Sequence, residues 1–287
     1  MNLDLQEYID ETKNFNLNEQ TEKLLHKYAW EMRYQEDNTL LPLEEYEKVH
    51  NIILERFKDD FIWKGNFPSL SYSNLLGVRN QLLNTDDDSM IGIIAPPGRG
   101  KSTFTLSCAR LLDSTFTHER TIFTMNELKS FLRKATNIFN QIKAANKNGE
   151  QYPNPLAGKV VVLDEGVYLL FSGDAQSKNG KTAQKLFSVI RALNLIFLVN
   201  ITNWRKISGG VKEDRFKCLF RIPSKGFVQF YSQKKISQIE TNKTSVDFPK
   251  PNFYDRTGYI EKSCKFWKGY EEKKSRFLDE ITHEVDQ

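Results

Sequence analysis

The nine residues Ala95, Pro96, Pro97, Gly98, Arg99, Gly100, Lys101, Ser102 and Thr103 have the types and spacing of a phosphate cradle. They follow the Walker A pattern of a small residue, four spacers, then Gly-Lys-Ser/Thr. Gly98 and Gly100 let the backbone turn its N–H groups inward around an anion. Lys101 has the reach for the β- and γ-phosphates of a nucleotide, and the Ser102 hydroxyl suits Mg²⁺. Ala95 stands where the strict pattern has Gly. Residues Ala95 to Thr103 are thus expected to bind ATP with Mg²⁺.

A second constellation follows a valine-rich run, Lys159-Val-Val-Val-Leu163. Asp164 and Glu165 close it in the Walker B manner. Asp164 at a strand's carboxyl end is expected to hold Mg²⁺ through water, beside Ser102. Glu165 is the expected general base, orienting the attacking water. A third set closes the run Leu195 to Val199: Asn200, Thr202 and Asn203. A polar residue there can sense the γ-phosphate, or simply cap the strand. Arg191, at the end of the preceding helical stretch, reads either as a site residue or as charge pairing at a helix C-terminus. Lys178, Lys181 and Lys185 lie in a polar basic segment after the Walker B pair. They fit a DNA-contacting loop and a solvated helix start equally well.

These groups need a scaffold to bring them together. Met90 to Ile94 reads as a short buried strand. Ser102 to Leu112 has apolar residues at helical spacing, so the glycine loop sits between strand and helix. A helix N-terminus then lies under the phosphates. A helix is expected over about 71–83, a strand over 120–124, and a basic amphipathic helix over 125–145. Residues 146–158 read as an exposed loop. Strands are expected over 159–163 and 195–199. Cys218–Ile222 and Phe227–Tyr231 flank Pro-Ser-Lys-Gly as a hairpin. Alternating strands and helices argue for an α/β fold, a mostly parallel sheet with helices on both faces. Lys101 and Asp164 are 63 positions apart. That leaves room for further elements between the motifs, so the strand carrying Asp164 is not expected to neighbour the strand before the glycine loop. Residues 1–65 read as helical, with segments at Leu17–Tyr34 and Leu43–Phe57. Beyond Thr241 the chain is expected to lose strand character and end in a charged helix over 261–284. The resulting division is a helical acidic region over 1–70, a core over 71–240, and a charged tail over 241–287.

The chain of 287 residues is 39% hydrophobic, enough for a substantial core. No run approaches the ~18 apolar residues of a membrane span. The first residues lack the basic and apolar regions of a signal peptide. Cys108, Cys218 and Cys264 are widely separated, without metal-ligand spacing, and read as buried reduced thiols. A soluble cytoplasmic protein is expected. Charge is uneven: residues 1–75 carry 8 Lys/Arg against 15 Asp/Glu, and residues 76–287 carry 33 against 22. A basic nucleotide-binding body suits a nucleic-acid partner.

Over about residues 75–235 the chain resembles the FtsK/HerA superfamily of P-loop ATPases. That superfamily includes DNA-pumping translocases, viral genome-packaging ATPases and zonular-occludens-toxin-like ATPases. The resemblance rests on Ala95–Thr103, on Val160–Glu165, on the run Arg191-Ala-Leu-Asn-Leu-Ile-Phe-Leu-Val-Asn-Ile-Thr-Asn203, and on the hairpin Cys218–Tyr231. It implies a RecA-like sheet and a homo-oligomeric ring, usually a hexamer, with ATP between subunits. It implies double-stranded DNA in a central channel and an arginine completing the neighbour's site, for which Arg191 and Arg215 both qualify. Asn203 stands where the cellular translocases have Gln, with Asn200 and Thr202 open as equivalents. No membrane anchor or DNA-reading module is recognisable, which suits a viral or mobile-element type in the host cytoplasm. The expected function is Mg-ATP hydrolysis driving DNA translocation or packaging, with a viral portal or capsid as partner. Two alternatives stand beside it. One is an assembly or secretion ATPase acting on a protein. The other is a nucleotide switch in which Glu165 is dispensable.

Overall fold

A computed structural model describes residues 61–66, 68–85, 89–113, 115–147, 154, 156–164, 192–204, 207, 215–241 and 248–285. The expected helices at Leu17–Tyr34 and Leu43–Phe57 lie outside these residues, as do Glu165, Lys178, Lys181, Lys185 and Arg191.

Seven strands form one mixed sheet in the order β3-β4-β5-β2-β6-β7-β8. They are β2 (Ser89–Ile94), β3 (Thr121–Ile122), β4 (Val160–Leu163), β5 (Ile196–Ile201), β6 (Phe216–Ser224), β7 (Phe227–Ser232) and β8 (Phe253–Arg256). The first five in spatial order, β3 to β6, run parallel; β7 joins β6 and β8 joins β7 by antiparallel pairing, so β7 alone runs against the rest. Strands β2, β4 and β5 are buried along their whole length. Continuous apolar runs are what a parallel strand covered on both faces requires. Gly92 lies in the middle of β2. A Cβ there would stand 2.6 Å from Leu219 Cδ1, so any side chain on the central strand at this point would force the Leu219 side chain on β6 to shift.

Helices cover both faces. α1 (Ser69–Asn84), α2 (Lys101–Leu112) and α5 (Lys265–Val285) pack with Ile91, Ile93, Val160, Val162, Leu198 and Phe220. α3 (Met125–Lys147) and α4 (Gln233–Thr241) pack with Met90, Ile94, Val161, Leu163, Phe197 and Val199. The alternation along β4, Val160 and Val162 to one side, Val161 and Leu163 to the other, is the period of two that a pleated strand imposes. The expected α/β class and mostly parallel sheet thus stand. Strand β5 separates β4 from β2, as the spacing between the two motifs led us to expect.

The strand expected over 120–124 is only two residues long, for a local reason. A 3₁₀ turn, His118–Arg120, precedes it. The Glu127 carboxylate then accepts from Phe123 N (2.7 Å) and Thr124 N (3.2 Å), while Thr124 Oγ1 accepts from Glu127 N (3.1 Å). This capping box starts α3 and ends β3.

Two expectations are corrected. Residues 61–65 do not continue a helix: β1 (Trp63–Lys64) pairs antiparallel with β9 (Tyr259–Ile260). Phe61 and Trp63 are buried while Ile62 and Lys64 are exposed, a strand alternation that the aromatic content of the region masks. Strand character also persists beyond Thr241. β8 completes the main sheet against β7, and Asp255 on β8 accepts the N–H of Ser71 at 2.8 Å in the first turn of α1. The boundaries drawn at 70 and 240 therefore both fall within hydrogen-bonded structure. α5 is a helix as expected, and it packs into the core as well as carrying charge. Phe266, Trp267, Tyr270 and Phe277 form a buried stripe along it.

Cys108 and Cys218 are free and buried, and burial raises both thiols above the ordinary range. Cys264 is also buried. Thiols so placed behave as small apolar residues.

Candidate functional site

Three parallel strands end side by side at the carboxyl edge of the sheet. In register, β2 Ile93 lies beside β5 Asn200, and β5 Val199 lies beside β4 Leu163. The next residues of β2 and β4 lead to Ala95 and Asp164. Ligands in open α/β sheets bind at such edges.

From Ala95 the chain enters the glycine loop. Ala95 is buried, and Pro96, Pro97, Gly98 and Arg99 are exposed. Gly98 and Gly100 have φ of 73° and 87°, the left-handed region where a side chain is strained. A Cβ at either would meet nothing within 4 Å, so glycine is required there by backbone shape and not by crowding. Gly100 caps α2, and its carbonyl accepts from Phe104 N at 3.0 Å. Gly100 supplies no side-chain cap to the first-turn N–H groups of Lys101, Ser102 and Thr103, and α2 has no acidic residue in its first turn. An anion is favoured at such a helix start.

Asp164 is 1% exposed. Its backbone N–H donates to Ile122 O at 2.9 Å, fixing it against β3. Its carboxylate is hydrogen-bonded from three elements. The Ser102 hydroxyl on α2 stands 3.5 Å from Oδ2. Asn200 Nδ2 on β5 donates to Oδ1 at 2.6 Å. Tyr270 on α5 donates its hydroxyl to Oδ2 at 2.7 Å. Asn200 is held in turn, because its Oδ1 accepts from the hydroxyl of buried Thr105 on α2. The amide orientation is consistent with both bonds.

Of the expected residues, the structure brings together the loop Ala95–Thr103, Asp164 and Asn200. Thr202 and Asn203 are exposed beyond the end of β5. Arg215 immediately precedes β6, whose first residue pairs with Met90 near the start of β2. It therefore lies at the amino-terminal edge of the sheet, opposite the glycine loop of its own chain. Sequence reading missed Thr105 and Tyr270. Thr105 carried a weak signal, a polar residue on the sheet-facing side of the first turns of α2. Tyr270 carried none beyond its place in the aromatic stripe of α5.

Among the described residues, no group of three His, Cys, Asp or Glu side chains could hold a metal ion. A hydroxyl and one carboxylate beside a helix N-terminus is instead a donor set compatible with Mg²⁺, which keeps waters and takes its other ligands from phosphates. The residues present fit Mg²⁺ with a nucleotide. Among the described residues no helix is long and apolar enough to cross a membrane. No protein-family model matches this chain, and no curated protein matches it.

Proposed function

We propose that this chain is a P-loop ATPase of RecA-like fold, and that its hydrolysis of Mg-ATP moves double-stranded DNA. The observation that carries the enzymatic part is Ser102 Oγ at 3.5 Å from Asp164 Oδ2, with β5 lying between their two strands. An intervening strand with an acidic pair at the end of β4 is the arrangement expected of ATPases that activate water.

The loop N–H groups and the start of α2 bind the phosphates, and Lys101 at the first position of α2 reaches the terminal ones. Bound Mg²⁺ supplies charge neutralisation as negative charge shifts toward the leaving phosphate. Ser102 and Asp164 would hold it. Asn200 fixes the Asp164 carboxylate from the side of β5. Glu165, the next residue, is the proposed base. Arg191 and Arg215 are the proposed groups acting on a neighbouring copy in a ring.

The DNA reading rests on charge. Lys129, Arg133, Lys134, Lys143 and Lys147 are exposed along α3, whose first turn carries the single acid Glu127. Phosphate contacts by such a face should weaken steeply with salt. The test is ATP hydrolysis with and without duplex DNA across a salt series. Stimulation at low salt that fades as salt rises is expected. Hydrolysis indifferent to DNA at every salt concentration would remove the translocation reading and leave the ATPase.

A further inference from the structure

We propose that Tyr270 is a positioning residue for the metal-binding carboxylate, and that α5 is through it part of the nucleotide site. The inference rests on the reading of Ser102 and Asp164 as the Mg²⁺ site and adds a residue to it.

Tyr270 lies 106 positions from Asp164, on a helix that sequence reading treats as a charged tail. Its ring is already fixed without the hydroxyl. It packs at 5.3 Å from the Trp267 ring and 6.2 Å from Phe123, and is 2% exposed. The helix is fixed independently too. Phe277 stacks on Phe123 at 5.0 Å, and Phe266 meets Phe61 edge-on at 5.4 Å. Lys273 Nζ donates to Glu119 O at 2.9 Å and pairs with Glu127 at 3.5 Å. Gly269 lets the helix approach the 3₁₀ turn, since a Cβ there would stand 2.5 Å from the His118 ring. A phenylalanine at 270 would satisfy all of this packing.

The packing does not call on the hydroxyl, whose own geometry is defined by its bond to Asp164. It donates at 2.7 Å to Oδ2, the same oxygen that faces Ser102. Asn200 holds the other oxygen. Donors on both oxygens hold the carboxylate with Oδ2 directed at Ser102. Outer partners of this kind orient metal ligands. Tyr270 thus sets how well Asp164 is prepared for Mg²⁺, while the loop's affinity for phosphate alone does not depend on it.

The test uses the full chain and a fluorescent N-methylanthraniloyl ATP as probe. Its affinity is measured in EDTA and across a Mg²⁺ titration for wild type, Tyr270→Phe, Phe277→Leu and Asp164→Asn. In Tyr270→Phe the Mg²⁺ concentration giving half the maximal gain in affinity should rise about tenfold. Affinity in EDTA should stay within about twofold of wild type, because the anion cradle is untouched. Phe277→Leu loosens the same helix without removing the hydroxyl, and its Mg²⁺ midpoint should match wild type. A Tyr270→Phe midpoint equal to wild type, with Asp164→Asn shifted, would overturn the inference and leave the Mg²⁺ site standing. Equal shifts in Tyr270→Phe and Phe277→Leu would also overturn it, assigning the effect to helix packing. A wild type whose affinity does not respond to Mg²⁺ would remove the site reading itself, and the inference with it.

Discussion

Strand β4 ends in a buried carboxylate network at each end, and the two are built oppositely. At its amino end, Asp113 accepts from the N–H of Val160 at 3.0 Å. Arg120 donates to the same oxygen and also to Val160 O, and Lys159 Nζ lies 3.8 Å from the other. Burial alone would raise this carboxyl, but the Arg120 and Lys159 charges and the hydrogen bonds from Arg120 and Thr115 outweigh it, bringing it down to about 2. At the carboxyl end, three neutral side chains donate to the Asp164 carboxylate: a serine, an asparagine and a tyrosine. The amino end spends its cations on closing the fold. The carboxyl end orients its carboxylate through serine, asparagine and tyrosine hydrogen bonds beside the glycine loop, a setting that suits an incoming cation. The difference also predicts how each end tolerates loss of its charge.

The largest effect is expected at the carboxyl end, on activity. In Asp164→Asn the amide oxygen can face Asn200 and the amide nitrogen can face Tyr270 and Ser102. Both of those hydroxyls can rotate to accept. Stability should therefore change by less than about 1 kcal/mol. Mg²⁺-dependent hydrolysis should fall on the order of a thousandfold, the scale of a lost metal ligand. Denaturant unfolding and steady-state turnover together check this. A strongly destabilised Asp164→Asn would erase the distinction between the two ends.

Asp113→Asn should show the reverse. An amide nitrogen there must face either Arg120 and the Val160 N–H, or the Thr115 N–H and a Thr115 hydroxyl that already accepts from Arg120 and Lys159, so it finds no open acceptor. Two cations also lose their counter-charge. Unfolding free energy should drop by about 3 kcal/mol, as for breaking a buried ion pair. The affinity for ATP should remain within about twofold, since the loop lies at the other end of the strand. Unfolding by urea and a binding titration separate the two quantities.

Acid titration probes the same end with a smaller effect. Asp113 has a lowered value in the folded chain, so its stabilising contribution is complete above the ordinary carboxyl value of 3.8. It is lost as pH falls through the folded value of about 2. That window is worth about 2 kcal/mol. Asp255 acts with the opposite sign. Burial raises its carboxyl despite the N–H groups of Ser71 and Arg256, so acidification through its range favours the fold. The difference between wild type and Asp113→Asn removes that shared contribution. The gap in unfolding free energy between them should narrow by about 2 kcal/mol from pH 4 to pH 2. A constant gap would mean that the Arg120 and Lys159 charges do not act on Asp113.

What the sequence discloses about each end follows from the reach of the forces involved. The loop at Ala95–Thr103 is legible because its demands are local, with left-handed backbone at Gly98 and Gly100 and a helix start just after. The strand before Asp164 is legible because burial on both faces leaves a run of valines. The choice among Asn200, Thr202 and Asn203 is not legible. It depends on the register that sets Val199 beside Leu163, which no spacing along the chain encodes. Tyr270 and Asp255 reach partners 106 and 184 positions away, and their strands or helix carry only short patterns. The buried stripe at 266, 267, 270 and 277 and the alternation at 61–64 were present in the sequence. Charge content hid the first, and aromatic residues at spacings compatible with a helix hid the second.

The smallest predicted effect tests what Asn200 does at the carboxyl end. Thr105→Val keeps the shape of the side chain and removes the hydroxyl that donates to Asn200 Oδ1. The site is fully buried, so the amide oxygen loses a partner, at a cost of about 1 kcal/mol in stability. Asn200 is then free to turn its amide, and its grip on Asp164 Oδ1 weakens. If Asn200 serves only to orient Asp164, Tyr270 still holds the other oxygen. Hydrolysis should then fall by less than about tenfold, below the usual effect of a group bonded directly to a metal ligand. A loss as large as that of Asp164→Asn would instead place Asn200 on the nucleotide itself, as the γ-phosphate sensor expected at the end of this strand. Turnover of the two variants, measured side by side at saturating Mg²⁺ and ATP, decides between an asparagine that braces the carboxylate and one that reads the phosphate.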